Sequence, residues 1–175
     1  MASPVPPIRS ERLELVSLSS PLIQAILAAD AEAVPFRVPG HWPDDHDRRF
    51  LELRVRDLAK FPQFQEWLVR AIVLEGEMIG HAGFHGPPGV NAIKAPDAVE
   101  IGYTIFEPHR RQGYAAEAAR ALVEWAAREH AIRHFVASVA RDNEASLRLV
   151  RGLRFTQTGT RIDPEDGEEL VFELR

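Results

Sequence analysis

The chain has 175 residues, 45% of them hydrophobic and 27% charged, with a formal net charge of −5. That length and composition fit one soluble globular domain over residues 1–175, and the acidic balance disfavours nucleic acid as the main partner. No cysteine is present, which excludes disulfides, thiolate metal ligands and a cysteine-linked covalent intermediate.

No apolar run approaches the roughly 20 residues that cross a bilayer, so no membrane partner is expected. The opening "MASPVPPIRS" lacks the charged and apolar regions of a signal peptide, and its prolines predict a flexible arm over residues 1–8. A cytoplasmic location is the default for such a chain. "RLELVSL" (12–18) alternates Leu13, Leu15 and Ser17 against its neighbours and predicts a half-buried strand. "SPLIQAILAADAEAV" predicts a helix with Ser20 as N-cap, Pro21 at the first helical position, and Leu22, Ile23, Ile26 and Leu27 on one face. A Pro/Gly turn and a charged amphipathic helix over about 45–60 follow.

The hydrophobic period then changes. "EWLVRAIVL" and "MIGHAGFHG" read as two strands joined by the turn Glu75-Gly76-Glu77. Residues 86–97 form a loop by composition, and "AVEIGYTIF" (98–106) is a third strand. A helix over about 113–130, the strand "HFVASVA", a short helix over "NEASLRLVRGL" and the pair "RFTQTGTRI" and "ELVFELR" complete the chain. The order β-α-α-β-β-β-α-β-α-β-β implies an α/β (α+β) fold, a mixed sheet with helices on its faces.

The helix beginning after Gly113 carries an apolar stripe of Ala115, Ala118, Ala119, Leu122, Val123 and Ala126. Its entrance is electrostatically unusual, because Arg110 and Arg111 precede an end that is already partly positive. Gly113 permits close backbone approach, and Ala115 and Ala116 keep the first turn free of bulk. A strand, a short turn and a bare helix start together suit an anion site, where a bound anion turns the arginines from a liability into ligands; on the loop alone, both arginines read equally well as solvated turn residues. The junction is not a P-loop, since Gly-Lys-Ser/Thr is missing, and it lacks the glycines of a dinucleotide fingerprint.

The pattern Arg110-x-x-Gly113-x-Ala115 after "VEIGYTIF" resembles the coenzyme A loop of the GNAT superfamily of N-acetyltransferases. "IRSERLELVSL", "GHAGF", "EIGYTIFEPHRRQGYAAEAARALVEWA" and "DNEASLRLVRGLRF" fall in the order and spacing of its RimJ/RimL-type branch, across about 150 residues. The resemblance implies a mostly antiparallel central sheet flanked by helices, and acetyl-CoA as co-substrate without a metal. Arg110 would stand at the motif's first position, and the backbone of Arg111, Gln112, Gly113, Ala115 and Ala116 would cradle the pyrophosphate. Thr104, Ile105 and Phe106 would pair through their main chain with the pantetheine arm, and Asn143 would hydrogen-bond it. The acetyl group would pass directly to a primary amine, a protein N-terminus or a small molecule, with Glu100 as base. That role requires a raised carboxyl pKa, which burial on a central strand would supply. The family's tyrosine position is occupied by Val150, and Ser146 would assist the leaving thiolate. Arg154 replaces a glycine in "GLRF".

Other features are weaker. His81 and His85 on one strand would lie about 13 Å apart, too far to share a metal ion, and His85 either faces the acceptor cleft or is structural. Phe36 and Trp42 either line the acceptor pocket or plug the core. The acidic turn Asp163–Glu169 would attract a cationic amine or be a solvated face. Three readings stay open: the acetyltransferase, a non-catalytic acyl-CoA sensor, and a nucleic-acid module using Arg48, Arg49, Arg110 and Arg111. The acceptor and the oligomeric state, a homodimer included, are not fixed by the sequence.

Overall fold

The structure, a computed structural model, describes residues 5–164 and 167–175. Its first strand, β1 (Ile8–Arg9), lies partly inside the predicted arm. Ile8 is buried and pairs with Leu15, so burial of that one apolar side chain shortens the arm. Strand β2 (Glu14–Ser17) buries Leu15 and Ser17, with Leu13 buried just ahead of it, as the alternation predicts. Helix α1 spans Ser20–Leu27, and its N-cap is Ser19, not Ser20: the Ser19 side chain accepts from the Leu22 amide. Helix α2 (Asp45–Lys60) opens with a reciprocal capping box between Asp44 and Asp47.

Strands β3 (Arg70–Leu74) and β4 (Glu77–Phe84) meet at a two-residue turn. Glu75 and Gly76 have φ of +48° and +80°, the sense of turn that matches the strands' own twist. Strand β5 (Ala98–Ile105), helix α3 (Tyr114–His130), strand β6 (His134–Ala140), helix α4 (Glu144–Gly152) and strands β7 (Thr156–Asp163) and β8 (Gly167–Leu174) complete the fold. One sheet holds the strands in the order β1-β2-β3-β4-β5-β6-β8-β7. Every neighbouring pair is antiparallel except β5–β6.

That exception positions the site. β5 and β6 pair only from Ala98↔His134 to Glu100↔Val136. Beyond Glu100 they part, leaving a wedge with an unpaired backbone edge between them. Helices α3 and α4 cover one face of the sheet through Leu122, Trp125, Leu147 and Val150, and α1 and α2 cover the other through Ile23, Ile26, Leu51 and Leu58.

Arg70, in a strand of apolar residues, is fully buried. Its Nη1 donates to the Pro6 and Leu15 carbonyls and its Nη2 to the Glu66 carbonyl, while the guanidinium lies 5.1 Å over the Trp125 ring. Burial pulls its pKa down to about 10, the Glu66 charge offsetting part of the fall. Arg70→Ala removes this packing and strands three carbonyls. We expect a loss of about 3 kcal/mol in urea unfolding; a loss below about 1 kcal/mol would contradict this account of the core.

Candidate active site

On the α3/α4 side, the wedge opens into a cleft of about 1170 Å³ whose lining includes Thr104, Ile105, Arg110, Arg111, Gly113, Ala115, Ala116, Asn143 and Ser146. Most of the predicted donor residues therefore converge on one space. Phe106 does not line it. Its side chain is buried against Trp42 on the opposite face.

The helix entrance is built from backbone geometry. Helices α1, α2 and α4 each begin with a side-chain cap, whereas Gly113, N-cap of α3, provides none. The first amides of α3 are thus left for a ligand. Gly113 holds φ +84° and Arg111 φ +60°. The second value is costly for a residue with a β-carbon, and strain of this kind collects at binding sites. Among the described residues, Arg111 and Arg120, both at the cleft, form no ion pair.

Arg12 braces this loop from below. Its Nη1 donates to the Gln112 carbonyl at 3.2 Å, and its guanidinium lies 4.5 Å over the Tyr114 ring. A trans peptide is planar, so a Gln112 carbonyl held by Arg12 turns the Gly113 N–H the opposite way. Arg12 is held in turn by Glu117 in the first turn of α3, through Nε and Nη2, each at 2.7 Å. Glu117 also accepts from Ser10 Oγ at 2.7 Å and the Arg12 amide at 2.8 Å. The helix end does have its acidic residue, one turn inside.

Along β5 the main-chain groups alternate. Phe106 N–H donates to Ile79, and a Cβ placed on Gly80 would stand 2.1 Å from the Thr104 carbonyl, so both groups face β4. The Ile105 carbonyl faces the other way and accepts from Arg110 Nε at 2.9 Å. The open edge therefore belongs to Tyr103 and Ile105 rather than to the expected run of three. Asn143 caps α4, its Oδ1 accepting from the Ser146 amide at 3.1 Å. Tyr103 Oη, also at the cleft, is buried without a well-formed hydrogen bond. Burial pushes its pKa up, and the nearby Ser146 offsets part of the rise.

Glu100 marks the point where β5 and β6 part, on the sheet face beneath the 86–97 loop. Only 1% of its side chain is exposed. Oε1 accepts from Ser138 Oγ and Oε2 from the Ala92 amide, both at 2.6 Å. His85 Nδ1 lies 3.6 Å from Oε2. Burial pushes the carboxyl pKa up as expected, but His85, Ser138 and the Ala92 amide together outweigh it and hold the value below the ordinary carboxylate. The predicted rise is thus reversed by donors that arrive from three other segments.

The chain matches the acetyltransferase (GNAT) domain family over residues 12–156. It belongs to that family. The GNAT domain is 28% identical over 163 residues to the uncharacterised N-acetyltransferase YjdG of Bacillus subtilis (strain 168), covering 85% of this chain and 88% of that protein. Its fold is that of a Bordetella pertussis GNAT-family acetyltransferase (TM-score 0.69, 24% identity, covering 97% and 99% of the two chains). It is also that of RimL, the ribosomal L7/L12 α-N-protein acetyltransferase, in complex with coenzyme A (TM-score 0.67, 24% identity, 95% and 96%). The protein is an acetyl-CoA-dependent N-acetyltransferase of this family.

Within this GNAT domain, Val150 is buried in the core beside Leu147 and carries no proton to give. Four residues escape sequence reasoning. Arg12 stands in the quoted "RLEL" motif, yet its partners lie 100 and 105 residues away. Tyr103 falls on the face opposite Glu100 by strand alternation, a signal that was available. Arg120 and Arg148 also line the cleft. Phe36 and Trp42 line a separate cleft of about 650 Å³ on the α1/α2 side, which shares no lining residue with the cleft on the α3/α4 side. At the acidic turn, Glu168 pairs with Arg141, and Asp163 and Glu169 pair with Arg161. Its tip, Glu165 and Asp166, lies outside the described residues.

Proposed function

We propose that the protein transfers acetyl from acetyl-CoA directly to the nitrogen of a primary amine, with the donor in the β5/β6 wedge and the amine entering from the Glu100 face. The observation that carries this is the uncapped start of α3, with unpaired Arg111 beside it, opening on a wedge between two parted parallel strands. Diphosphate oxygens supply the acceptors that the bare amides lack. The open edge of Tyr103 and Ile105 offers main-chain partners to an extended amide-bearing arm. Asn143 caps α4 through Oδ1, which leaves its Nδ2 to hydrogen-bond that arm. Glu100 supplies the negative charge that favours an incoming ammonium on this face. Ser146 and Tyr103, side by side at the cleft, assist the departing thiolate. The RimJ/RimL-type motifs favour a peptide N-terminus as acceptor, and the absence of cysteine suits a reducing cytoplasm.

The test is thiol release from acetyl-CoA over polyamines, aminoglycosides and peptides with free N-termini. We expect release that depends on at least one of these amines. Binding of acetyl-CoA with no amine-dependent thiol from any of them would favour an acyl-CoA sensor instead.

A further inference from the structure

Glu100 combines three properties that fit badly with direct proton abstraction. It is 1% exposed, its oxygens already hold the Ser138 hydroxyl and the Ala92 amide, and its charge is stabilised rather than weakened. The 86–97 loop that supplies the Ala92 amide is fixed over it. Asn91 Nδ2 donates to the Ala95 and Ala98 carbonyls and Asn91 Oδ1 accepts from the Ala95 amide. An amine cannot reach the carboxylate without opening that loop.

His85 has the complementary properties. Its backbone amide donates to the Glu100 carbonyl at 2.9 Å, which continues the β4–β5 ladder and holds the residue opposite Glu100. Half of its side chain (51%) is exposed. The ring turns Nδ1 toward Glu100 Oε2, while Nε2 lies 3.3 Å from where a Cβ on Gly102 would stand. Imidazole therefore roofs Gly102, the first same-face residue beyond the point where β5 and β6 part. A side chain at position 102 would displace the ring.

We propose that His85 is the general base toward the acceptor amine and that Glu100 is its positioning residue. This rests on the acetyltransferase reading above. Nδ1–H faces the buried carboxylate, which leaves the Nε2 lone pair toward the acceptor side. Nε2 takes a proton from the ammonium, and the freed amine lone pair attacks the thioester carbonyl carbon. The C–N bond forms, the C–S bond breaks, and the sulfur leaves with its electron pair. The second nitrogen proton moves to that sulfur through the Ser146 side, and the imidazolium returns its proton to solvent. The products are the amide, the free thiol and one proton.

The experiment compares wild type, His85→Ala, His85→Gln and Glu100→Gln with the best amine of the panel. His85→Ala is expected to lose about 100-fold in kcat, with KM for acetyl-CoA and the acetyl-CoA-induced rise in melting temperature unchanged. Added imidazole should restore part of the rate to His85→Ala and none to Glu100→Gln. A variant carrying both His85→Ala and Glu100→Gln should be no slower than His85→Ala, because the two residues act as one unit. His85→Ala or His85→Gln turning over at the wild-type rate, or an absence of imidazole rescue, would overturn the proposal while leaving the acetyltransferase reading intact. Wild type that releases no amine-dependent thiol would overturn both.

Discussion

Acetyl-CoA at about 100 times its Kd raises the melting temperature of the wild-type protein by roughly 5 to 10 °C and leaves that of Gly113→Asp unchanged. Two separate costs act at this position. Backbone with φ +84° is strained by any β-carbon, and that carbon would stand 3.4 Å from Arg12 Nη2, the group that braces the loop. The carboxylate then adds negative charge where the diphosphate must sit, at an end whose dipole and arginines were arranged for an anion. Gly113→Asn separates the two costs, since asparagine tolerates left-handed backbone and adds no charge. It should keep part of the shift. A shift in Gly113→Asp equal to that of wild type would show that the diphosphate does not bind at this helix start.

Glu117→Gln is the second large effect, and it reaches the same loop from behind. Glu117 ties the β1–β2 turn to α3 through Ser10, the Arg12 amide and the Arg12 guanidinium. Without its charge, Arg12 loses the partner that keeps it beneath Gln112. We expect about 2 kcal/mol of lost stability and about tenfold weaker acetyl-CoA binding, since hydrogen bonds to charged groups are the stronger kind. The effect has a defined pH sign. Burial raises the Glu117 pKa, but Ser10 and Arg12 more than offset it and place the folded value below the reference 4.5. A depressed carboxyl pKa stabilises above the unfolded value, and that contribution is lost as pH falls through the folded one. The melting-temperature gap between wild type and Glu117→Gln should therefore be full at pH 7 and shrink as pH drops below about 4.5. A gap independent of pH would show that Glu117 acts by packing alone.

The uncapped entrance of α3 was legible because it is local. Gly113, Ala115 and Ala116 announce a bare helix start within a few residues of sequence, and the cleft forms where they stand. The charged helix over about 45–60 and the strand "HFVASVA" are likewise local, and both occur as read. What escaped is what arrives from a distance. Arg12 reaches Gln112 across 100 residues, and His85, Ser138 and the Ala92 amide reverse the predicted shift of Glu100 from three other segments. The same holds for Ile8, drawn from the expected arm into the core by its pairing with Leu15. Ser19 rather than Ser20 caps α1 because adjacent serines offer the same chemistry, and only backbone angles choose between them. Tyr103 is an intermediate case, since strand alternation places it on the cleft face but only the structure shows its buried hydroxyl beside Ser146 without a well-formed hydrogen bond.

The proposed acceptor side is chemically simpler than the proposed donor side: a half-exposed imidazole roofing Gly102 and a buried carboxylate behind it. In the proposed mechanism the electrostatics of the two halves are opposite, arginines toward the diphosphate and Glu100 on the ammonium side, which would orient a ternary complex in which both substrates are present together. The most direct test is the thiol-release assay with acetyl-CoA and the best amine both varied, and with the product examined by mass spectrometry. The account predicts intersecting initial-rate lines and one acetyl group on the amine nitrogen. Parallel lines with an acetylated protein intermediate, or thiol release indifferent to the amine, would contradict it.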